Sequence, residues 1–331
     1  MKIAIVKLSA LGDIVHAMIV LQAIKKIDST IQIDWIVEEV FAPVLAHNPD
    51  INHIYTLNLK SLKKNKLQIF AELKKAKRYA QNNYDLVIDL QGLIKSAIIA
   101  KILGNNVGFD RKSIRESAAA RLYKKSYYVP YEKNVIERNL KLVELVFDTT
   151  FHDIFICEKS PLLYFLEKDR IKIKDYLKKD KKNIIYILGS SWKSKIYPKE
   201  KFVTLIEALE GNHLLVWGND NELILAKYVE ENTTVSVLPR LNLNELKALV
   251  SEADLVIGGD SGPTHFAWAL NRPSITIFGP TSSQRNTYVT QINRVIDCGE
   301  EINPLKLDKQ NFCIEYIEVS KIIDIAKELL A

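Results

Sequence analysis

Three observations make two doubly wound α/β domains the fold class this sequence predicts. Short apolar runs alternate with longer amphipathic stretches. The alternation stops near the middle of the chain and then restarts. At 331 residues the chain is also longer than one hydrophobic core ordinarily serves.

The first half opens with Lys2–Lys7 (KIAIVK), an apolar run short enough for a buried strand. Asp13–Lys26 follows with apolar residues at helical spacing, then Gln32–Glu38 (QIDWIVE) as a second strand. Helical Lys66–Gln81 leads into the strand Leu86–Leu90. Such βα alternation implies parallel sheets covered by helices on both faces. The second half offers strands Asn183–Leu188, His213–Trp217, Leu255–Ile257 and Ser274–Phe278. Helices are expected between them at Pro198–Leu209, Asn221–Glu231 and Asn244–Ser251. The stretch Thr149–Lys182, with its charged and poorly periodic run Lys168–Lys182, reads as an interdomain connection with a short helix. The tail Tyr316–Leu330 is amphipathic and helical. The predicted boundaries are therefore 1–155, a connection 156–182, a second domain 183–314 and a final helix 315–331. Two such domains place a ligand in the cleft between them, outside the carboxyl ends of the strands.

Composition excludes several classes. Hydrophobic residues make up 47% and charged residues 26%, a globular balance. No run of about 18 apolar residues is present, so no membrane span is expected. Met1–Val6 is too short for a signal peptide core, and Lys7 and Asp13 interrupt its continuation. Cys157, Cys298 and Cys313 are odd in number and lack CxxC spacing, which fits reduced, buried thiols in a cytoplasmic protein and argues against a disulfide framework or zinc site. Charge is uneven: residues 1–150 carry a net +8 and the remainder −2, so an anionic partner is expected at the first half. RNP, helix-turn-helix and zinc signatures are missing, so nucleic acid is not the expected partner.

Chemistry-bearing residues cluster at predicted strand ends. The first turn, Lys7–Asp13, lacks the GxGxxG of dinucleotide enzymes and instead places one glycine and one acid at the helix start. Asp13 is either a helix N-terminal acid favoured by the macrodipole or a general base at the cleft mouth. After Asn183–Leu188 comes Gly189-Ser190-Ser191-Trp192-Lys193-Ser194-Lys195, whose hydroxyls and lysine suit a diphosphate. Trp217–Glu222 ends the next strand; its Glu222 suits ribose hydroxyls or a helix cap. Gly258-Gly259-Asp260-Ser261-Gly262-Pro263-Thr264-His265 is a glycine-rich strand-to-helix turn, of the kind that lets backbone N–H groups approach a phosphate. His265 alone reads as a buried core residue. Phe278–Thr281 should border the same cleft.

Four segments together resemble the lipopolysaccharide heptosyltransferases. They are Lys7-x-Ser9-x-x-Gly12-Asp13-x-x-His16, Asp34-Trp35-Ile36-Val37-Glu38-Glu39, Val87-Ile88-Asp89-Leu90-Gln91-Gly92-Leu93-Ile94-Lys95-Ser96, and Asp260–His265. The second and third look most like the heptosyltransferase I branch, which adds the first heptose to Kdo on lipid A. The resemblance implies a GT-B fold: two Rossmann-like domains facing across a cleft, the first binding acceptor, the second binding ADP-heptose, and the last helix crossing back to the first. It implies an inverting, metal-independent transfer with no cofactor, ADP-heptose being a substrate. It assigns Asp13 as general base and Lys195 as the cation that neutralises the departing diphosphate. Ser190 and Ser191 are assigned to the phosphates, Glu222 to the ribose and the backbone near Leu241 to the adenine. Asp260 is assigned to the heptose, with Ser261, Gly262, Pro263, Thr264 and His265 completing the donor site. Ser9, Gly12 and Gln91 are assigned to the acceptor, together with the basic residues Lys60, Lys63, Lys64, Arg115 and Arg121. Kdo-lipid A is the implied acceptor, and peripheral contact with an anionic membrane surface is expected. Two departures stand out: Ala10 occupies a position often held by serine, and Trp192-Lys193-Ser194 is an unusual run before the lysine. The enzyme adding the second heptose and a non-catalytic sugar-nucleotide-binding protein are the alternatives.

Overall fold

The computed structural model describes residues 1–59, 68–152 and 154–331. Tertiary contacts group the chain into two units, Met1–Leu162 and Leu163–Ala331.

The first unit is built on β1 (Lys2–Val6), β2 (Gln32–Glu38), β3 (His53–Leu57), β4 (Tyr84–Asp89), β5 (Gly104–Phe109) and β6 (Lys125–Tyr127). The second contains β7 (Asn183–Ile187), β8 (Asn212–Val216), β9 (Ser236–Val237), β10 (Leu255–Gly259), β11 (Ser274–Phe278) and β12 (Asn293–Asp297). All pairings are parallel. The strand orders are β3-β2-β1-β4-β5-β6 and β12-β11-β10-β7-β8-β9. Counted within its own unit, each sheet runs 3-2-1-4-5-6, the order of the dinucleotide-binding fold. The order reverses between β1 and β4 in one sheet and between β7 and β10 in the other. Loops leaving neighbouring strands at such a point diverge to opposite faces and leave a crevice.

The central strands are apolar because helices cover both of their faces. Ile3, Ala4, Ile5 and Val6 of β1 are fully buried, as are Ile184, Ile185 and Tyr186 of β7. The strands away from the sheet centres are weaker in pattern. β3 is half-exposed along most of its length, β5 begins Gly-Asn-Asn, and β9 has two residues. Parallel pairing with a buried neighbour holds them in place, which explains why β3, β5, β6, β9 and β12 lie outside the sequence expectations.

Two expectations need correcting. The helix expected over Asp13–Lys26 is two helices, Leu11–Ala17 and Ile19–Ile27, separated at Met18. The connection expected at 156–182 does carry a short helix, Glu167–Ile173, which docks on helix Leu243–Ser251, with Lys172 Nζ 2.7 Å from Glu245 Oε1. The final helix, Val319–Leu330, is expected to cross back to the first domain. Its buried residues Ile322 and Ala326 instead join the core under β7, β10 and β11, in the second unit. An apolar stripe finds its burial on that sheet face, so the helix belongs to the unit that precedes it in sequence.

The cysteines also differ from expectation. Cys298 and Cys313 form a disulfide, with Cα atoms 5.7 Å apart, and Cys157 is free and exposed. β12 and the turn Cys313–Tyr316 both abut Gly279: Cys298 Sγ lies 3.6 Å from its carbonyl oxygen, and Ile314 packs against its Cα. That shared neighbour brings the sulfurs together across 15 residues of sequence. Denaturation without reductant should therefore expose one titratable thiol per chain, and all three only after reduction. Three reactive thiols before reduction would contradict the pairing.

Candidate functional site

In the second unit, the chain leaving β7 turns through Gly189–Trp192 into the single 3-10 turn Lys193–Lys195. The chain leaving β10 passes directly into Asp260. Lys195 Nζ lies 2.7 Å from Asp260 Oδ2, and the two side chains are only 11% and 9% exposed. Thr281 Oγ1, from the loop after β11, donates to the same oxygen at 2.7 Å. His265 Nε2 lies 3.1 Å from Oδ1. Ser190 Oγ donates to the Asp260 carbonyl at 3.3 Å. Asp260 thus collects groups from three strand ends. Trp192 frames the outer side, with Lys195 Nζ 5.6 Å and Lys309 Nζ 4.8 Å from its ring centroid.

Glycines make this closeness possible. A Cβ on Gly258 would sit 2.7 Å from Thr264 Oγ1 and 2.8 Å from Ile187 Cβ; one on Gly259 would sit 2.9 Å from the Lys195 carbonyl oxygen. Both glycines lie inside β10 and serve close packing rather than the turn itself. Gly189 plays the same part toward Glu222, whose Cδ would lie 2.2 Å from an added Cβ. Asn219 caps the helix Asp220–Glu231, its Oδ1 accepting from Glu222 N at 3.2 Å, and the Glu222 carboxylate accepts in turn from Gly218 N at 2.7 Å and Asn219 Nδ2 at 2.6 Å. That cap nonetheless sets the carboxylate against the end of β7.

In the first unit, the turn after β1 is tied on several sides. Trp35 Nε1 donates to the Lys7 carbonyl at 3.2 Å, and Lys7 Nζ donates to the Leu90 carbonyl at 2.9 Å. Gln91 Oε1 accepts from Leu8 N at 3.1 Å and Ser9 N at 3.0 Å. Asp13 Oδ2 accepts from Ala10 N at 3.1 Å. Asp13 is partly exposed, and among the described residues no group donates to its second oxygen.

The family description "Glycosyltransferase family 9 (heptosyltransferase)" matches residues 73–313. The chain belongs to glycosyltransferase family 9, the heptosyltransferases. It is 43% identical to lipopolysaccharide heptosyltransferase 1 of Campylobacter coli, covering 99% of both chains. It is 30% identical to lipopolysaccharide heptosyltransferase 1 of Pseudomonas aeruginosa, over 85% of this chain and 79% of that one. Among solved structures, Escherichia coli heptosyltransferase WaaC with ADP-2-deoxy-2-fluoro heptose superposes with a TM-score of 0.78 at 24% identity, covering 99% of each chain. The shared fold is GT-B, two Rossmann-like units in one chain.

The heptosyltransferase brings together some expected residues and separates the roles of others. Ser190, Lys195, Asp260, Thr264 and His265 form one connected cluster. Thr264 Oγ1 donates to the Gly259 carbonyl at 2.8 Å and lies 3.1 Å from Ser261 Oγ. Ser191 is exposed, Gly262 and Pro263 are half-buried on the same turn, and Leu241 is half-buried just before helix Leu243–Ser251. Lys193 is exposed, which leaves Lys195 as the lysine beside the acid. In the first unit, Ser9, Gly12, Asp13 and Gln91 share the turn region. Arg115 and Arg121 are exposed on the segment after β5. Lys60, Lys63 and Lys64 lie outside the described residues. Sequence reading missed Thr281 as a partner of Asp260, and Asp89 and Tyr123 beneath Gln91. Among the described residues, one group of atoms has metal-ligand spacing, Cys298, Glu300 and Cys313, but two of its three ligand atoms are the disulfide sulfurs.

Burial by itself would raise the Asp260 carboxyl, but the Lys195 ammonium and the contact from His265 outweigh it and hold the group well below the usual carboxylate range. A depressed folded-state pKa contributes stability that is complete above the unfolded value, near 4, and disappears as pH falls through the folded value. Replacing Asp260 by Asn should therefore lower the unfolding free energy by an amount that is constant from about pH 7 to 5. The gap to the parent should narrow below about pH 4. Denaturant melts across that range test this. A gap that did not change with pH would mean that the ion pair adds nothing to folding.

Proposed function

We propose that this heptosyltransferase transfers L-glycero-D-manno-heptose from ADP-heptose to a Kdo hydroxyl of Kdo-lipid A, inverting the anomeric carbon, in assembly of the lipopolysaccharide inner core. The observation that carries the reading is the buried Lys195–Asp260 pair at the β7/β10 switch point, ringed by Ser190, Thr281 and His265. Such a crevice offers a fixed cation and hydroxyls, as a sugar nucleotide diphosphate requires. The heptosyltransferase 1 relatives and the ADP-2-deoxy-2-fluoro heptose bound to WaaC support the donor and the branch.

In the reaction, Asp13 accepts the proton of the acceptor hydroxyl, and that oxygen bonds to the anomeric carbon. The bond from the anomeric carbon to the diphosphate oxygen breaks on the opposite face, and its electron pair departs with ADP. Lys195 and backbone amides of the turn around Gly262 offset the charge added to the diphosphate, so no metal is required. Leu241 and Glu222 receive the adenosine end. Arg115, Arg121 and the lysines 60, 63 and 64 attract the anionic acceptor. With those cations the protein works in the cytoplasm as a peripheral visitor to an anionic membrane face. Among the described residues no helix is long and apolar enough to cross a membrane.

The test is a mass assay with ADP-heptose and Kdo-lipid A, run in the presence of a chelator. The parent should add one heptose, and Asp13→Asn should turn over roughly 100-fold more slowly with unchanged ADP affinity. Transfer only to an acceptor already bearing heptose would point to the second-heptose reaction. ADP binding without any transfer would point to a binding protein.

A further inference from the structure

Gln91 was expected at the acceptor, yet its carbonyl end is turned inward. Two consecutive backbone N–H groups, of Leu8 and Ser9, point at its Oε1. Only the oxygen end of an amide can accept two donors, so the orientation of the group is fixed and its NH2 points elsewhere. The backbone of Gln91 is itself anchored. Asp89 is fully buried at the end of β4. Its Oδ1 accepts from Gln91 N at 2.8 Å and Gly92 N at 3.2 Å, and its Oδ2 accepts from Ser96 Oγ and Tyr123 OH, both at 2.8 Å. Gly92 has φ +68°, and a Cβ there would meet Ile114 Cγ2 at 2.5 Å, so the turn admits no side chain at that position.

We infer that Gln91 is a positioning residue that sets the reach of Asp13 through the backbone of residues 8–10. Gln91 holds the N–H of Ser9, and Asp13 holds the N–H of Ala10, the next along the chain. The carboxylate is therefore referenced to a turn whose place is set from β4, 82 residues away in sequence. This inference rests on the reading of Asp13 as the base. A base must meet the acceptor hydroxyl within hydrogen-bond reach, and a displacement of about 1 Å is enough to cost roughly 100-fold in rate.

Steady-state kinetics of the full chain with ADP-heptose and Kdo-lipid A test it. Gln91→Met keeps the length and removes the acceptor, and should lower kcat about 10- to 100-fold with both KM values within about twofold. Gln91→Glu presents two oxygens to the same N–H pair and should recover most of that loss. Should Gln91→Met fold poorly, Gln91→Asn draws the oxygen back by one methylene and should show a smaller kcat loss at parent-like melting temperature. In the Asp13→Asn background, Gln91→Met should cost nothing further, because the two act through one group. A raised acceptor KM with intact kcat would make Gln91 a binding residue and overturn the inference. So would a Gln91→Met penalty of the same size in both backgrounds. Near-parent turnover by Asp13→Asn would remove the base reading, and the inference with it. Loss of turnover in Asp13→Asn alone, with Gln91→Met unaffected, would remove only the inference.

Discussion

A lysine and an aspartate buried together at the β7/β10 switch point organise the second unit. Neither charge is tolerable alone at that depth. A buried ion pair gains from its attraction only when the remaining hydrogen-bonding positions are filled, and here Thr281 and His265 fill them. The pair also fixes geometry. To place Lys195 against Asp260, the chain after β7 must run tightly over β10, and Gly258 and Gly259 are the residues that leave room for it. Disulfide-linked Cys313 and its neighbour Ile314 support the same region from the far side of Gly279. The result is a cation held in place before any ligand arrives, which reduces the reorganisation a charged transition state would otherwise demand.

The first unit repeats the strand order and uses its switch point differently. β1 and β4 deliver an acid and an amide where β7 and β10 deliver a lysine and an acid. Side-chain oxygens of Gln91 and Asp13 hold successive backbone N–H groups of the first turn. One fold used twice thus yields a paired lysine and acid in one unit and an acid on the first turn in the other. That division matches what an inverting transfer needs: a proton acceptor for one substrate and charge compensation for the other.

Much of this was legible in the sequence, and the reasons are physical. Strands buried on both faces write continuous apolar runs, so β1, β2, β4, β7, β8, β10 and β11 declared themselves, and so did the strand ends that carry the candidate residues. Outer strands such as half-exposed β3, or β5 with its Gly-Asn-Asn start, carry no such signature because their place is set by their neighbours. Local sequence likewise identifies Asp260 and Lys195 as candidates but cannot show that they meet, since Thr281, Lys195 and Asp260 come from separate loops. The glycine pair before Asp260 reads from sequence as a phosphate-binding turn, whereas its first duty is to let a strand pack against the Lys195 backbone. Gln91 reads from sequence as an acceptor residue, because nothing local shows that the N–H groups of Leu8 and Ser9, 83 and 82 residues away, claim its side-chain oxygen. The final helix misled in a similar way, because an amphipathic stripe reports that a helix is buried without reporting on which sheet.

Lys195, held by Asp260, is proposed as the cation that meets the terminal phosphate of the donor's diphosphate. Calorimetric titration of the parent and Lys195→Gln with ADP and with AMP tests it most directly, since Gln keeps a donor for Asp260 and removes the charge. Lys195→Gln should weaken ADP binding at least about tenfold while AMP binding stays within about twofold of the parent. Equal losses for ADP and AMP, or no loss for ADP, would contradict it.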